Sequence, residues 1–388
     1  MKAKAAEKIV AEIVSPATRL LQSSGEFVKG FIPPDYLIDG LLQRRFVYSL
    51  TGPTGAGKTC IAMRIALHVA EGLPLAGMAA EKGRVLFFAG ENPDDVRTRW
   101  IKLCEEMGYD PEKLDVFFLP GSPAISNDQI RKLIDNEAAE HGPFSLLIVD
   151  TSAAYFQGDD ENSNKQLGDH ARMLRSFVNL PGGPTILITC HPTKNPDMTN
   201  LLPRGAGAFL AEVDGNLVTI KDHDTMAVEV TTHGKFRGPE FAPFSFKLTP
   251  GTSDKLVDTK GRKVWTITAT PISNEEQTAL EDEGTSKQDD LLRCMFEHPG
   301  LSLSELAGKL FWLTRDNHPN KSQAQRTMDA LVKAKLAQRT RHNGRYALTK
   351  KGEDEAAELK KPKRLQTKSA WPETGKKHAK RQKRPIRL

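Results

Sequence analysis

An α/β architecture, a mostly parallel sheet covered by helices on both faces, is what this 388-residue sequence predicts. Three observations carry the prediction. Short apolar runs alternate with amphipathic stretches from Arg45 to about Lys221, a glycine-rich loop joins the first run to the next stretch, and after Lys221 the pattern changes to period-2 strands. Strands buried on both faces read as continuous apolar runs, whereas half-exposed antiparallel strands alternate.

The elements follow in order. Residues 1–30, opening MKAKAAEKIVAEIV, lack a continuous apolar signal core and read as a polar helical arm. Residues 31–272 form the main domain. Its runs are FVYSL (46–50), VLFFA (85–89), DVFFL (115–119), LLIV (146–149), TILITC (185–190) and NLVTI (216–220). MAVEVTTH, FAPFSFKL and KVWTITATP then extend the sheet with antiparallel strands. Residues 273–286 are acidic with few apolar side chains and read as a linker.

Residues 287–360 make a second unit. KQDDLLRCMFEHPG is a first helix, and LSLSELAGKL a second with Ser302 or Ser304 as N-cap. KSQAQRTMDALVKAKL is a third, in which Ser322 and Gln325 have capping-box spacing. Ala324, Met328, Leu331, Val332 and Leu336 fall on one face of it. Two short strands flank Asn343–Gly344, a hairpin turn signal. Three helices and a hairpin resemble a winged helix-turn-helix.

The net charge of +6 is unevenly placed. Residues 361–388 carry 11 Lys or Arg against the single acid Glu373, while the rest of the chain is slightly acidic. Such a tail is expected to be disordered and to bind polyanions through counterion release; the alternative is a solubilising extension. A mean hydropathy of −0.45, and no run near the ~18 apolar residues of a spanning helix, predict a chain that does not enter a membrane. Cys60, Cys104, Cys190 and Cys294 are scattered without a CxxC pair, which fits a reducing compartment; a cytoplasmic protein is expected.

The chemistry begins at LTGPTGAGKT. Gly52, four residues, then Gly57, Lys58 and Thr59 match GxxxxGK[ST] between an apolar strand and an amphipathic helix. Gly52, Pro53, Thr54, Gly55, Ala56, Gly57, Lys58, Thr59 and Cys60 form the expected cradle, offering backbone N–H groups at every position but Pro53, which contributes shape only. Lys58 is placed to reach the β- and γ-phosphates of ATP, and Thr59 to hold Mg²⁺. Asp150, ending LLIVD, is the second expected Mg²⁺ partner. The residue after it is Thr151, so the water-orienting carboxylate must come from elsewhere. Glu91 in VLFFAGENP supplies it, because strand carboxyl ends share one sheet edge. The alternative for Glu91 is a helix N-terminal charge.

This combination resembles the RecA/DnaB-like branch of P-loop ATPases over roughly residues 30–250. It looks most like the RepA-type replicative helicases and related AAA-family ATPases of plasmids and phages, on PPDYLIDGLL, AGENP, IVDT, the histidine ending the next strand and a late K-x-R. The resemblance implies that His191 senses the γ-phosphate. It implies that Lys235 and Arg237 reach a neighbouring subunit's nucleotide, with the arginine as finger, and hence a ring, most simply a hexamer. Read without it, His191 follows TILITC at a strand's carboxyl end, where its N–H could register a terminal phosphate or it could be a plain loop residue, and Lys235 with Arg237 is a solvated pair.

The same resemblance sends two loops, SAAYFQGDDENSNKQLGD and PTKNPDMTNLLPRGAGA, towards a central channel, with Lys165, Lys194 and Arg204 as candidate contacts to single-stranded DNA. Asp159, Asp160 and Glu161 in the first loop oppose that role. In the second unit Lys321, Gln325 and Arg326 open the third helix, and Arg341 and Arg345 lie in the wing. Such groups suit duplex base edges and phosphates, although winged helices also dock proteins. The expected function is an ATP-hydrolysing, ring-forming DNA motor or helicase of plasmid or phage replication type. The alternatives are an ATP-switched DNA-binding regulator or loader, and a RecA-like scaffold ATPase.

Overall fold

The computed structural model describes residues 21–31, 33, 35–124, 128–160, 163–193, 201–222, 225–314, 317–340 and 345–359. Lys194, Arg341, the Asn343–Gly344 turn and the basic tail lie outside them. The chain divides into two compact units after Gly284.

The first unit is built on a nine-stranded sheet. A short hairpin, β1 (Tyr36–Ile38) and β2 (Leu42–Gln43), precedes it. The sheet's parallel strands are β3 (Val47–Thr51), β4 (Arg84–Ala89), β5 (Val116–Pro120), β6 (Phe144–Asp150), β7 (Thr185–Cys190) and β8 (Gly215–Lys221). β9 (Ala227–Phe236), β10 (Phe244–Val257) and β11 (Lys263–Ile272) continue it antiparallel. The order is β11-β10-β9-β8-β3-β7-β6-β4-β5. This is the mostly parallel sheet with an antiparallel extension that the sequence predicts.

Side-chain alternation explains the two cores. Phe87, Leu146, Ile148 and Leu187 enter the layer beneath the helices Lys58–Glu71 and Pro93–Met107. Phe88, Leu147, Val149, Ile186 and Ile188 enter the opposite layer, with Leu174 of helix Asn164–Arg175 and Phe177. Successive strand residues face opposite sides, so the central runs are mostly apolar, and their buried polar residues, such as Ser49, Thr189 and Asn216, are hydrogen-bonded. Among the described residues no helix is long and apolar enough to cross a membrane.

Two local expectations are refined here. The stretch 273–286, which the sequence marks as a linker, is helical: a helix runs Asn274–Glu297. Ser273 and Glu276 cap it reciprocally, Ser273 N–H to the Glu276 carboxylate at 2.8 Å and Glu276 N–H to Ser273 Oγ at 3.1 Å. Glu275 and Glu276 also suit the positive end of the helix dipole. Lys165 does not stand on a loop. It lies in the first turn of helix Asn164–Arg175, which Ser163 caps.

The second unit packs Leu291, Leu292, Leu306, Met328, Leu331 and Leu336 into its own core. Its helices include Leu303–Lys309, opened by a capping box of Ser302 and Glu305, and Lys321–Lys333. The cap of the latter is Asn320 instead of Ser322, and Val332 is exposed instead of sharing the buried face. Strands β12 (Ala337–Arg339) and β13 (Tyr346–Leu348) pair antiparallel, and a further helix, Lys350–Leu359, follows.

Candidate nucleotide site

Strand register gathers the predicted residues. β3 ends at Thr51 beside Cys190 of β7, and β4 places Ala89 beside Asp150 of β6. The Gly90 N–H donates to the Asp150 carbonyl at 2.8 Å, which fixes the backbone leading to Glu91. Gly52, Glu91, Asp150 and His191 therefore leave the sheet at one edge. There a cavity of about 250 Å³ is lined by Lys58, Thr59, Glu91, Asp150 and His191, among others.

The loop from Gly52 to Thr59 has the shape the motif requires. Gly55 and Gly57 both have φ near +78°, a region that favours glycine. A Cβ at Gly57 would lie 2.9 Å from the Leu248 side chain. Lys58 Nζ donates to the carbonyls of Gly52 at 2.8 Å and Pro53 at 3.0 Å. Thr59 Oγ1 donates to the Asp150 carboxylate at 2.9 and 3.2 Å, and Thr189 Oγ1 donates to it at 2.5 Å. The Asp150–Thr151 peptide bond is cis. Cys60 is buried, with its thiol against the Ile267 carbonyl and the Arg99 guanidinium, so its side chain serves packing.

Burial sets the electrostatics of this floor. It pulls the Lys58 ammonium below its ordinary value, against Asp150, Cys190 and Glu91. Burial likewise raises the Asp150 carboxyl, opposed chiefly by the Thr189 and Thr59 hydroxyls. An arriving polyphosphate with a cation would relieve both. The hydroxyl and carboxylate oxygens of Thr59 and Asp150 are the hard donors that suit Mg²⁺.

Glu91 stands outside the following helix. Asn92 is that helix's N-cap, and Asp94 and Asp95 supply its first-turn acids, so the helix has its terminal partners without Glu91. His191 lines the main cavity and also a smaller one shared with Ser152 and Arg204. Arg204 sits at the base of its loop: its N–H donates to the His191 carbonyl at 2.9 Å.

Lys235 and Arg237 are elsewhere. β9 places Phe236 beside Gly215, and β8 places Gly215 beside Tyr48, near the start of β3. Val47 to Gly52 is roughly 17 Å at ~3.3 Å per residue, so the pair lies at the opposite edge from its own Lys58. Lys235 Nζ donates to the carbonyls of Leu210 at 3.2 Å and Ala211 at 2.7 Å, closing helix Ala206–Glu212. Arg237 Nη1 donates to Asp214 at 3.1 Å with its side chain 60% exposed.

In the second unit Lys321 and Arg326 are exposed on the helix Lys321–Lys333. Gln325 is half-buried and donates to Asp329 at 2.6 Å and Tyr346 at 3.1 Å. Arg345 Nη1 donates to the Gly300 carbonyl at 2.5 Å. Both are engaged within the unit.

Several residues escaped sequence reasoning. Thr189 looks like any polar exception in a β-strand until its hydroxyl is seen on Asp150. Arg99, held by Asp95 at 2.6 Å, lines the cavity from the helix Pro93–Met107. Lys221 Nζ donates to the Gly55 carbonyl at 3.3 Å from the end of β8. Only Arg99 carried a signal, a basic residue on the helix just after the candidate base.

A model of an AAA domain family matches residues 15–197. The DNA repair and recombination protein RadB of Pyrococcus horikoshii is 27% identical over 151 residues, 38% of this chain and 57% of that relative. Its namesake from Pyrococcus abyssi is 25% identical over 38% of this chain and 58% of its own length. The RadB of Thermococcus onnurineus is 26% identical over 40% of this chain and 64% of its own length. The chain thus spans less than two thirds of the length of the curated relatives it matches. With the sheet order and the loop geometry, these matches support a RecA-like P-loop ATPase domain.

Proposed function

We propose that this chain hydrolyses ATP as an assembly of identical copies, most simply a hexameric ring, and uses the cycle to move on or unwind DNA. One observation carries the reading: the carboxyl edge holds loop, metal partners and carboxylate, while the K-x-R pair sits at the other edge of the same sheet. A phosphate-directed arginine that cannot reach its own chain's nucleotide fits a neighbour's.

In this reading Lys58 and the loop amides hold the β- and γ-phosphates, and Thr59 and Asp150 would hold Mg²⁺, whose charge would offset the negative charge that develops on the phosphate oxygens. Glu91 orients water and accepts its proton as oxygen attacks the γ-phosphorus and the bond to the ADP oxygen breaks, giving ADP and phosphate. His191 meets the terminal phosphate, and its carbonyl pairs with Arg204, which ties the sensor to the base of a candidate DNA loop. Exposed Lys321 and Arg326 in the winged-helix-like unit, together with the basic tail, localise the assembly on duplex.

The RadB names favour a second reading, an ATPase of DNA repair or recombination without unwinding. Strand displacement on a forked duplex, run beside single-strand-stimulated ATP hydrolysis, separates the two. Displacement that requires hydrolysis supports the motor. Stimulated hydrolysis without displacement supports the second reading, and DNA-indifferent hydrolysis contradicts both.

A further inference from the structure

We propose that Asp214 is a positioning residue for Arg237, presenting its guanidinium to the nucleotide of an adjacent copy. The proposal rests on the reading of Arg237 as a finger acting between copies.

Asp214 follows helix Ala206–Glu212 and its side chain is 2% exposed. Each carboxylate oxygen has two donors. Oδ2 accepts from the Val47 N–H at 3.0 Å and Arg175 Nη1 at 3.0 Å. Oδ1 accepts from Arg175 Nη2 at 3.2 Å and Arg237 Nη1 at 3.1 Å. The main chain is fixed too: the Asp214 N–H donates to the Val47 carbonyl at 2.6 Å, and the Arg237 N–H to the Asp214 carbonyl at 2.8 Å. One residue thus grips Arg237 at backbone and head group while locked to the first residue of β3.

The charges show which cation is presented outward. One carboxylate faces two guanidiniums, so the cluster carries a net positive charge. Arg175 places both terminal nitrogens on the carboxylate, and Nη1 also on the Glu212 carbonyl. Arg237 places Nη1 there and is the more exposed of the two, 60% against 35%. A guanidinium held by one corner, with its remaining edge outward, is pre-organised for an incoming anion and loses less rotamer freedom on meeting it. The competing role, a brace between helix Ala206–Glu212 and β3, predicts damage to the whole subunit.

The test uses the full-length chain with Asp214→Asn, which keeps an acceptor for the Val47 N–H and removes the charge. Turnover should fall roughly 10- to 100-fold, the worth of one charge-assisted hydrogen bond, with the Kd for a fluorescent ATP analogue unchanged. Mixing with Glu91→Gln subunits, which carry an intact Arg237, should restore part of the hydrolysis. Asp214→Asn in an Arg237→Ala background should add no further loss. Where Asp214→Asn does not fold, Arg175→Lys, which loosens the same carboxylate, should show the same rescue with a smaller defect. Wild-type turnover of the folded variant, or a further loss in the double variant, overturns the proposal. So does a failure of rescue in mixtures where Arg237→Ala is rescued. Failure of Arg237→Ala itself to be rescued overturns the finger reading and this proposal with it.

Discussion

The two edges of one sheet handle charge in opposite ways. At the carboxyl edge Lys58, Thr59, Asp150 and Thr189 turn inward, bonded to one another or to the loop and largely withdrawn from water. At the amino edge a buried aspartate gathers two arginines and leaves one of them facing solvent. The first arrangement is a receptacle whose charges are held inward by hydrogen bonds. The second is a projection, Arg237, that its own chain holds through Asp214 and leaves 60% exposed. In the proposed reading each edge is half of a site, and the sheet is the spacer that keeps a chain from completing its own.

The comparison can be broken from either side. The largest effect is expected at the amino edge: Arg237→Ala should lower turnover by about 10³–10⁵, as arginine fingers do in related phosphoryl transfer, while nucleotide binding is retained. Loss of binding in equilibrium titration would place Arg237 in the receptacle instead. At the carboxyl edge, Glu91→Gln should cost about 10²–10⁴ in turnover, the usual range for a general base, again with ATP bound. Hydrolysis within about threefold of the parent would show that the base lies elsewhere.

A third change touches neither edge. Truncation after Lys360 removes a segment of roughly ten net positive charges. DNA affinity should fall and its dependence on log salt flatten by about three units or more, at about 0.7–0.9 per phosphate engaged. Basal hydrolysis should hold. An unchanged salt slope would make the tail a solubilising or partner-binding extension.

The smallest effect concerns the support behind the receptacle. His170 accepts or donates at 3.2 Å to Ser152, two residues beyond Asp150, and burial pushes its imidazole down to about 4. Between that value and the ordinary 6.5, only the unfolded chain takes the proton, so stability falls as pH drops through this window. The loss approaches about 3 kcal/mol over the full window. Denaturant midpoints at pH 7 and pH 5 should differ less in His170→Gln than in the parent. Equal acid losses would assign the effect to other groups.

How far the sequence disclosed this follows from where each signal resides. The loop at Gly52–Thr59 was legible because close approach to phosphate demands glycine at fixed spacing. The strands were legible because burial on two faces leaves few polar positions, Thr189 being one of them. Glu91 could be found by asking which strand end shares an edge with Asp150. The second half of the helix Asn274–Glu297 was legible in KQDDLLRCMFEHPG, but its first turns were missed although Ser273 and Glu276 carried the start signal, because they have little apolar surface. Asp214 could not be found: its partners Val47 and Arg175 lie 167 and 39 residues away, and only the folded sheet brings them together.

The measurement that tests the central claim most directly is hydrolysis by mixed assemblies of Arg237→Ala and Glu91→Gln subunits. Each variant alone is expected to be nearly inactive. In the mixture, an Arg237→Ala subunit keeps its carboxylate and receives an arginine from a Glu91→Gln neighbour, so partial recovery is expected, rising and falling with the mixing ratio. No recovery, in assemblies shown by mass to contain both subunits, would contradict a site shared between the edges of two copies.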